Sequence, residues 1–506
     1  MWHILSNYVI GLDIGTSTTR SVIFNRNGEV VSESEHAYST YRPKPNYSEQ
    51  NPLEIESAAR LAISTSISKL RITPNDIIGL SISAPMHSLI CINDKNEPIS
   101  PMITWADGRS YPQAAIMKES YGQDLYEQTG TPIHPMSPFV KLVWMKENQY
   151  TPYYEATRFV TIKEYILYKW CGTWQVDYSI ASATGLFNIH TLQWDEEALA
   201  IAGINESQLS KVLPCTTQVG PLTAHIAKEL LLHTSTPIII GASGGVLANI
   251  GVGATEEGET ALTIGSSGAI RRFTSEKTTD TEQRTFQYAF TKESRIVGGA
   301  TNNGTILMQW LARQFSSLTK KETVEVADLE ALAATSSAGA NGLFFLPYMN
   351  GERAPKWNAK AKGGWMGLTL SHTSADMIRS VMESVIFNMY EIHETLHEKE
   401  YPTKKLMVSG SYARSPLWVQ MTADILRKPR ILPGWTHATA WGAASLGMFA
   451  LGEVESLEAI KSSIPIKHEV LPTVRNVAMY EEYYHLYREL YNKNKPLFAE
   501  IDRLQY

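Results

Sequence analysis

The order of apolar and polar positions predicts strands that alternate with helices. Residues 8–14 form an apolar run that reaches a tight turn, and residues 21–24 form a second run typical of a returning strand. Residues 54–70 carry apolar side chains at helical spacing, whereas residues 77–82 are again a short β-branched run. Strands and helices in this alternation are typical of an α/β protein.

A second stretch with the pattern of the first turn lies in the middle of the chain. Residues 261–270, like residues 11–20, contain an apolar strand, one polar residue, an Ile-Gly pair and then small hydroxyl residues. This short repeat predicts two domains of like construction. Glycines cluster between residues 241 and 258, so we assign residues 1–245 to an N-terminal domain and 246–506 to a C-terminal domain. The last helix is a candidate for return to the N-terminal domain.

Length, charge and cysteine content narrow the class of protein. A chain of 506 residues is too long for one core, which agrees with two domains. The net charge of -6 argues against a nucleic-acid partner. Three widely spaced cysteines suggest neither a metal site nor a disulfide framework. Since the sequence also lacks an apolar run of about 20 residues and a signal-peptide pattern, we expect a cytoplasmic protein without membrane contact.

Tyrosines recur at helical spacing in the C-terminal tail. They are Tyr480, Tyr483, Tyr484, Tyr487 and Tyr491. One face of a helix would carry them, and we interpret that face as a packing surface rather than a ligand-binding aromatic box.

The turn at residues 13–20 has the composition of a phosphate-binding loop. Gly15 permits close backbone approach, and Thr16, Ser17 and Thr18 offer hydroxyl and N–H donors to phosphate oxygens. Asp13 at the strand end is a candidate Mg²⁺ ligand, because hard cations prefer oxygen. A hairpin rich in turn-forming residues is the alternative. Gly265, Ser266 and Ser267 offer the same chemistry from the other half of the chain, and no Gly-Lys-Ser/Thr loop ending is present.

Several longer stretches resemble the FGGY carbohydrate kinases, in the family's order along nearly the whole chain. Residues 136–148 resemble the first signature of the family, and residues 363–383 resemble the second. Residues 351–355 are similar to a further loop, and residues 409–424 to the adenosine-binding segment. The resemblance implies two actin-like, ribonuclease H-like ATPase domains with a cleft between them, ATP and Mg²⁺ as cofactors, and a homodimer as one expected assembly.

The resemblance assigns the nucleotide to small and amide residues of both halves. They are Gly15, Thr16, Ser17, Thr18, Gly265, Ser266, Ser267, Asn303, Gly304, Gly410 and Ser411. At Gly410 the absence of a side chain would let the backbone approach a flat purine, although a simple turn glycine is the alternative.

The resemblance also assigns the acceptor to two loops that follow predicted strands, at residues 83–88 and 103–109. Their candidates are Met86, His87, Trp105, Asp107 and Arg109. For Arg109 two interpretations stay open, namely contact with substrate or a bidentate pair with Asp107. The loops resemble those of family members that phosphorylate gluconate more than those of xylulose or glycerol kinases. We therefore expect D-gluconate as acceptor, with xylulose or another pentulose or polyol as the alternative.

One position departs from the family pattern. The family places an Asp that receives the hydroxyl proton in a glycine-rich turn, and the matching residue here is Gly244. Glycine has no side chain and cannot be the base. Three explanations are a substitution introduced into this sequence, a naturally impaired protein, and replacement by another carboxylate such as Asp13 or Asp107. Two other classes of function therefore stay open: a catalytically impaired protein that binds ATP and sugar, and an actin-like filament or chaperone ATPase.

Overall fold

The computed structural model describes residues 8–319, 323–397, 402–434 and 437–505. Its strands are β1 (Tyr8–Ile14), β2 (Thr18–Asn25), β3 (Val30–Ala37), β4 (Glu49–Gln50), β5 (Ile77–Ser83), β6 (Ile90–Ile92), β7 (Met102–Ile103), β8 (Arg158–Val160), β9 (Gln175–Asp177), β10 (Phe187–Asn188), β11 (Gln193–Trp194), β12 (Lys211–Leu213), β13 (Gln218–Val219), β14 (Ile238–Ile239), β15 (Glu259–Ile264), β16 (Gly268–Thr274), β17 (Phe286–Ala289), β18 (Arg295–Thr301), β19 (Phe344–Leu346), β20 (Gly364–Met366), β21 (Lys405–Ser409), β22 (Arg430–Pro433) and β23 (Ile466–Val470).

Helices follow or precede most of these strands. They are α1 (Pro52–Ser68), α2 (Tyr111–Thr129), α3 (Pro138–Glu147), α4 (Thr151–Glu155), α5 (Ile162–Cys171), α6 (Tyr178–Ala183), α7 (Glu196–Ala202), α8 (Ala224–Leu230), α9 (Gly244–Gly251), α10 (Ile306–Thr319), α11 (Val326–Ala333), α12 (Ser374–His397), α13 (Pro416–Leu426), α14 (Ala438–Ala450) and α15 (Val474–Gln505). The strands and the helix predicted within residues 8–82 are confirmed as β1, β2, α1 and β5. No helix among the described residues combines the length and apolar character that crossing a bilayer requires.

The two larger sheets have the same arrangement of six strands when one of them is read in reverse. Strands β3-β2-β1-β5-β14-β13 of the first correspond to β18-β16-β15-β21-β22-β23 of the second. In the six-stranded sheet, β13-β14-β5-β1-β2-β3, strand β1 pairs antiparallel with β2 and parallel with β5. In the seven-stranded sheet, β17-β18-β16-β15-β21-β22-β23, strand β15 pairs antiparallel with β16 and parallel with β21. This correspondence confirms two regions of like construction, as the repeat of residues 11–20 and 261–270 predicts.

Contacts within the chain define two compact units. Unit 1 contains the described residues within Met1–Thr255, Phe273–Val297 and His437–Ile464, and unit 2 those within Glu256–Arg272, Gly298–Thr436 and Pro465–Tyr506. Helix α14 thus belongs to unit 1, although it comes late in the chain, whereas α15 belongs to unit 2. The domain division at residue 245 stays a prediction.

The core of unit 1 forms because apolar positions of β1 and β5 face apolar positions of the covering helices. Ile10, Ala59, Leu80, Ile166 and Ile226 are buried in one cluster, and they come from β1, α1, β5, α5 and α8. Each fully buried isoleucine or leucine side chain of this kind stabilises the fold by about 1.5–3 kcal/mol. This cluster fixes the sheet, whose strand ends carry the candidate residues.

In unit 2 the tyrosine face of α15 packs inward, which confirms that it is a packing surface. Tyr480, Tyr484, Tyr487 and Tyr491 are buried, and Phe387 of α12 lies against three of them with ring centroids 5.3–6.2 Å apart.

Helices α9 and α14 of unit 1 touch through their backbones. A Cβ atom built on Gly251 would collide with the carbonyl group of Ala438, and one built on Gly442 would collide with the carbonyl group of Leu247. Because no side chain separates the two helices, α14 determines where α9 begins and therefore where residue 244 lies.

We expect Gly442→Ala to lower the free energy of unfolding by about 1–3 kcal/mol or more, because the new methyl group must displace the Leu247 carbonyl group. Urea unfolding measures the change. Gly122→Ala is the matched control: it also lies within a helix of unit 1, and its Cβ would meet nothing closer than 3.6 Å. That variant should gain about 0.5–1 kcal/mol from helix propensity. Equal losses in both variants would contradict the close backbone contact.

Candidate active site

The first candidate phosphate loop is the turn between β1 and β2. The Gly15 N–H donates to the Thr18 carbonyl at 2.9 Å, the Tyr38 hydroxyl donates to the Gly15 carbonyl at 2.5 Å, and the Gln50 amide donates to the Thr16 carbonyl at 2.7 Å. These bonds tie the carbonyl oxygens into the protein. Thr16 and Ser17 are exposed, so the turn presents hydroxyl-bearing residues to solvent, as a phosphate-binding loop requires.

Asp13 is half-buried at the end of β1, immediately before this turn. Its Oδ1 accepts a hydrogen bond of 2.9 Å from the Ser83 hydroxyl, which the parallel register of β1 and β5 places opposite. Burial raises the pKa of the Asp13 carboxyl group. A nearby cation would favour the ionised form.

The residues fit a Mg²⁺ ion that is held mainly by phosphate and water. Such a site needs one or two carboxylates from the protein, and Asp13 supplies one. Within the described residues, no group of three or more His, Cys, Asp or Glu side chains is arranged to enclose a metal ion.

The second candidate phosphate loop, in unit 2, is built from two segments. Thr305 and Gly304 donate backbone hydrogen bonds of 2.7 Å and 3.0 Å to the carbonyl groups of Gly265 and Ser266. A Cβ on Gly304 would collide with the Gly265 carbonyl group, so a glycine is required there. Ser266 is exposed at the tip of the turn, and Ser267 is half-buried beside it.

Gly410 and Ser411 join the same place in unit 2. Gly410 has a φ angle of 101°, and a Cβ there would collide with the carbonyl group of Ile264 at the end of β15. The Ser411 hydroxyl lies 3.4 Å from the Thr305 hydroxyl. The structure therefore brings the loop after β21 to the turn between β15 and β16.

Asn303 is buried and its amide is engaged within the protein. Its Nδ2 donates to the Gly351 carbonyl at 2.8 Å and to Glu352 Oε2 at 3.2 Å, and its Oδ1 accepts from the Asn350 N–H at 3.2 Å. These bonds support the loop that carries Gly304. Direct contact of Asn303 with nucleotide stays a prediction.

The first acceptor loop follows β5. Met86 is half-buried, whereas His87 is buried with a φ angle of 66°, a conformation that costs a non-glycine residue energy. The His87 Nδ1 donates to the Ala183 carbonyl at 2.7 Å, since a carbonyl only accepts. The Lys141 ammonium donates to the His87 carbonyl at 2.9 Å and to the Met136 carbonyl at 2.5 Å, which holds the loop in place.

The second acceptor loop contains a bidentate ion pair. Arg109 donates through Nε and Nη2 to the two carboxylate oxygens of Asp107, both at 2.8 Å, and it also donates to Glu49 at 2.5 Å. Asp107 further accepts the Ser48 N–H at 2.6 Å. Of the two interpretations of Arg109, the pair with Asp107 is thus present, and contact of either residue with substrate stays a prediction. Trp105 is half-buried at the start of this loop.

Gly244 is the first residue of α9, and its surroundings leave room for a Cβ atom. A Cβ there would lie 3.4 Å from the Ser83 hydroxyl and 3.8 Å from Thr439 Cγ2. The residue is half-buried, and its N–H donates to the Ala84 carbonyl at 3.1 Å. A carboxylate at this position would stand beside Ser83 and at the favourable, N-terminal end of a helix.

Two residues of the site were not among the sequence candidates. Ser83 contacts Asp13 and lies beside position 244, and Lys141 holds the acceptor loop. Lys141 could have been found, because a lysine inside the apolar helix α3 requires a specific partner. For Ser83 the sequence carries no such signal, since its role depends on the register of β5 against β1.

Comparison with known proteins agrees with this construction. The profile of the N-terminal domain of the FGGY family of carbohydrate kinases matches residues 8–251, and that of its C-terminal domain matches residues 260–451. A gluconokinase of Bacillus subtilis is 38% identical, with 99% of this chain and 96% of that protein covered. Crystal structures of a gluconate kinase and of a ligand-bound xylulose kinase, both from Lactobacillus acidophilus, each give a TM-score of 0.92 at 32% identity, covering 98% of this chain and 100% of theirs.

Burial lowers the pKa of the Lys141 ammonium to about 7. Between about pH 7 and the ordinary lysine pKa of about 10.4, the unfolded chain binds more protons than the folded chain, so this group makes stability rise with pH. We expect a contribution of up to about 1.4 kcal/mol per pH unit, which Lys141→Met removes. Urea unfolding from pH 7 to 9 measures the slope. The control is Lys146→Met, on the exposed face of the same helix, which should keep the slope.

Proposed function

The chain belongs to the FGGY family of carbohydrate kinases, and from this premise we propose that it transfers the γ-phosphoryl group of ATP to D-gluconate. The observation that carries the choice of acceptor is the 38% identity to a gluconokinase over nearly the whole of both chains. The fold is α/β with two actin-like, ribonuclease H-like domains, as in the family's solved structures. The products are 6-phospho-D-gluconate and ADP. Because ATP is the donor, we propose a cytoplasmic location; a homodimer stays a prediction.

We assign the phosphates of ATP to the two hydroxyl-rich turns. The proposed phosphate contacts are Thr16, Ser17, Thr18, Ser266 and Ser267, and the proposed adenosine contacts are Gly410 and Ser411. Phosphoryl transfer depends chiefly on positioning and on stabilising phosphate charge. When bound, Mg²⁺ supplies charge neutralisation at the phosphates, and Asp13 would hold it.

The step itself requires a place for one proton. A bond forms between the terminal hydroxyl oxygen of gluconate and the γ-phosphorus, the bond from that phosphorus to the bridging oxygen breaks, and ADP leaves. The hydroxyl proton passes to a base. Asp13 and Asp107 are the two carboxylates considered as substitutes for a base at position 244. Asp107 already accepts hydrogen bonds from Arg109 and Ser48. Asp13 is half-buried and accepts a hydrogen bond from the Ser83 hydroxyl.

A substrate carboxylate needs cationic or N–H donors in the acceptor loops. His87 and Arg109 are the candidates that the sequence offers, and Lys141 adds positive charge beneath the loop when protonated. Xylulose, the alternative acceptor, has no carboxylate, and the solved xylulose kinase matches this fold with the same TM-score as the gluconate kinase.

We expect D-gluconate to give the highest kcat/KM in a panel with D-xylulose, L-ribulose and glycerol, because the other three lack the carboxylate. ADP release with Mg·ATP measures the rates, using the Gly244→Asp variant so that slow turnover does not hide the preference. Arg109→Gln should reduce the preference for gluconate over xylulose. A panel in which xylulose leads would make this chain a pentulose kinase and leave the family assignment unchanged.

We expect Gly244→Asp to raise kcat by about 10²–10⁴-fold, the usual contribution of a positioned general base. The Cβ atom of the new side chain would lie 3.4 Å from the Ser83 hydroxyl, which is an ordinary van der Waals contact. Gly244→Asn is the matched control, because it has the same size without a proton acceptor, and it should leave kcat low. A Gly244→Asp rate no higher than that of Gly244→Asn would show that position 244 is not the site of the base.

Gly244 also favours a second candidate function, a protein that binds ATP and a sugar acid without turnover. Both ligands would then raise the melting temperature of the chain as it stands, with ADP release at the background rate. Turnover by the unmodified chain at about 1 s⁻¹ or faster, which is ordinary for an enzyme, would exclude it.

A further inference from the structure

A buried ion pair contacts the turn that leads to residue 244. Neither of its two residues has been assigned a role above. Lys163 of α5 and Asp177, the residue before α6, both have fully buried side chains, and Lys163 Nζ donates to Asp177 Oδ2 at 2.7 Å. The same ammonium donates to the Ala242 carbonyl at 3.1 Å. One member of the pair therefore holds the backbone two residues before position 244.

The other member of the pair holds the next residue. Asp177 Oδ1 accepts the N–H groups of Ser179 and Ile180 at 3.0 Å and 3.1 Å, and the Ser179 hydroxyl at 2.5 Å. The Ser179 hydroxyl oxygen in turn accepts the N–H of Ser243 at 2.8 Å. The ammonium of the pair thus binds residue 242, and the carboxylate holds residue 243 through the Ser179 hydroxyl.

The pair also reaches the acceptor loop. Asp177 caps the first turn of α6, and the last residue of that helix, Ala183, accepts the hydrogen bond from His87 Nδ1 at 2.7 Å. A single short helix therefore connects Asp177 to the residue that we expect to contact the acceptor.

Stability alone does not account for such a pair. Removing two charges from water is costly, and replacing a buried ion pair by apolar residues of similar volume is often neutral or stabilising. The bonds of this pair instead end on two backbone segments, 242–243 and, through α6, residue 87. A displacement of about 1 Å in a group that acts in a reaction can cost about 100-fold in rate, and the proposed function assigns such groups to both segments.

We propose that Lys163 and Asp177 are positioning residues of the kinase, which fix residue 244 and His87 without contacting either ligand. The proposal rests on the proposed function, since it assigns the pair to that reaction. Its specific consequence is that the effect of residue 163 on kcat depends on the side chain at position 244. With Gly244 there is no proton acceptor for the pair to place, whereas the Gly244→Asp substitution supplies one.

The test is a double-mutant cycle between positions 163 and 244. In the Gly244→Asp chain we expect Lys163→Met to lower kcat about 100-fold while the KM for ATP changes less than about twofold. In the unmodified chain the same substitution should lower kcat by about tenfold or less, because only the placement of His87 is then disturbed. Equal fold-changes in the two backgrounds would overturn the proposal, because a purely structural role acts on both alike.

Two further variants keep the test decisive. Lys163→Arg retains the charge and should recover most of the kcat of the Gly244→Asp chain, and Lys169→Met, exposed on the same helix, should change nothing. Should Lys163→Met fail to fold, Asp177→Asn replaces it in the cycle, since the amide oxygen still caps α6 while the charge is lost. The same dependence on position 244 is expected.

Hydrogen exchange separates this proposal from the proposed function. In Lys163→Met, amides at residues 241–247 and 84–88 should exchange faster, while those of the turn at residues 15–18 should not. If Gly244→Asp phosphorylates no acceptor, the proposed function fails, yet faster exchange would still show that the pair fixes these segments. Unchanged exchange together with an active Gly244→Asp enzyme would refute the positioning role alone.

Discussion

The candidate site of each unit depends on backbone segments that touch with no side chain between them. In unit 1 the backbone of Gly11 lies against the Ala440 carbonyl group, and that of Gly442 against Leu247. In unit 2 the backbone of Gly304 lies against the Gly265 carbonyl group, and that of Gly410 lies against the Ile264 carbonyl group. Both contacts are at the turn between β15 and β16. Any larger residue would push these segments apart, because packed interiors have almost no free volume. The requirement is steric, and the turns that it fixes expose small hydroxyl residues, Thr16, Ser17 and Ser266.

Within this steric frame, the electrostatics of the site in unit 1 depend on a few neighbouring groups. Asp13 enters the site from a strand end, with a carboxyl group whose pKa is raised by burial and one hydrogen bond from Ser83. Position 244 lies beside the same serine hydroxyl, at the start of a helix that α14 holds in place. Under the proposed function, residue 244 is the position of the base, and the structure shows a serine hydroxyl and a helix start around a residue that has no side chain.

The acceptor side is built differently, from charges that satisfy one another. Asp107 and Arg109 form a bidentate pair that Glu49 and Ser48 complete, and Lys141 and His87 bond to backbone carbonyl groups. A loop held in this way is rigid, so a ligand meets a surface that is formed in advance. Its polar groups already have partners within the protein.

The sequence by itself determined the class of the fold, the two hydroxyl-rich turns, the family and the departure at Gly244. These properties depend on residues that are close together in the sequence, because strand periodicity, turn glycines and motif spacing are each defined over a short segment. Only the tertiary structure decided that Ser83 stands beside Asp13, that Arg109 is paired with Asp107, that α14 packs in unit 1, and that Lys163 and Asp177 lie behind residue 244. The physical reason is that these contacts depend on how segments are packed in space. Their partners are chosen by strand register and helix packing, which residue types alone do not specify.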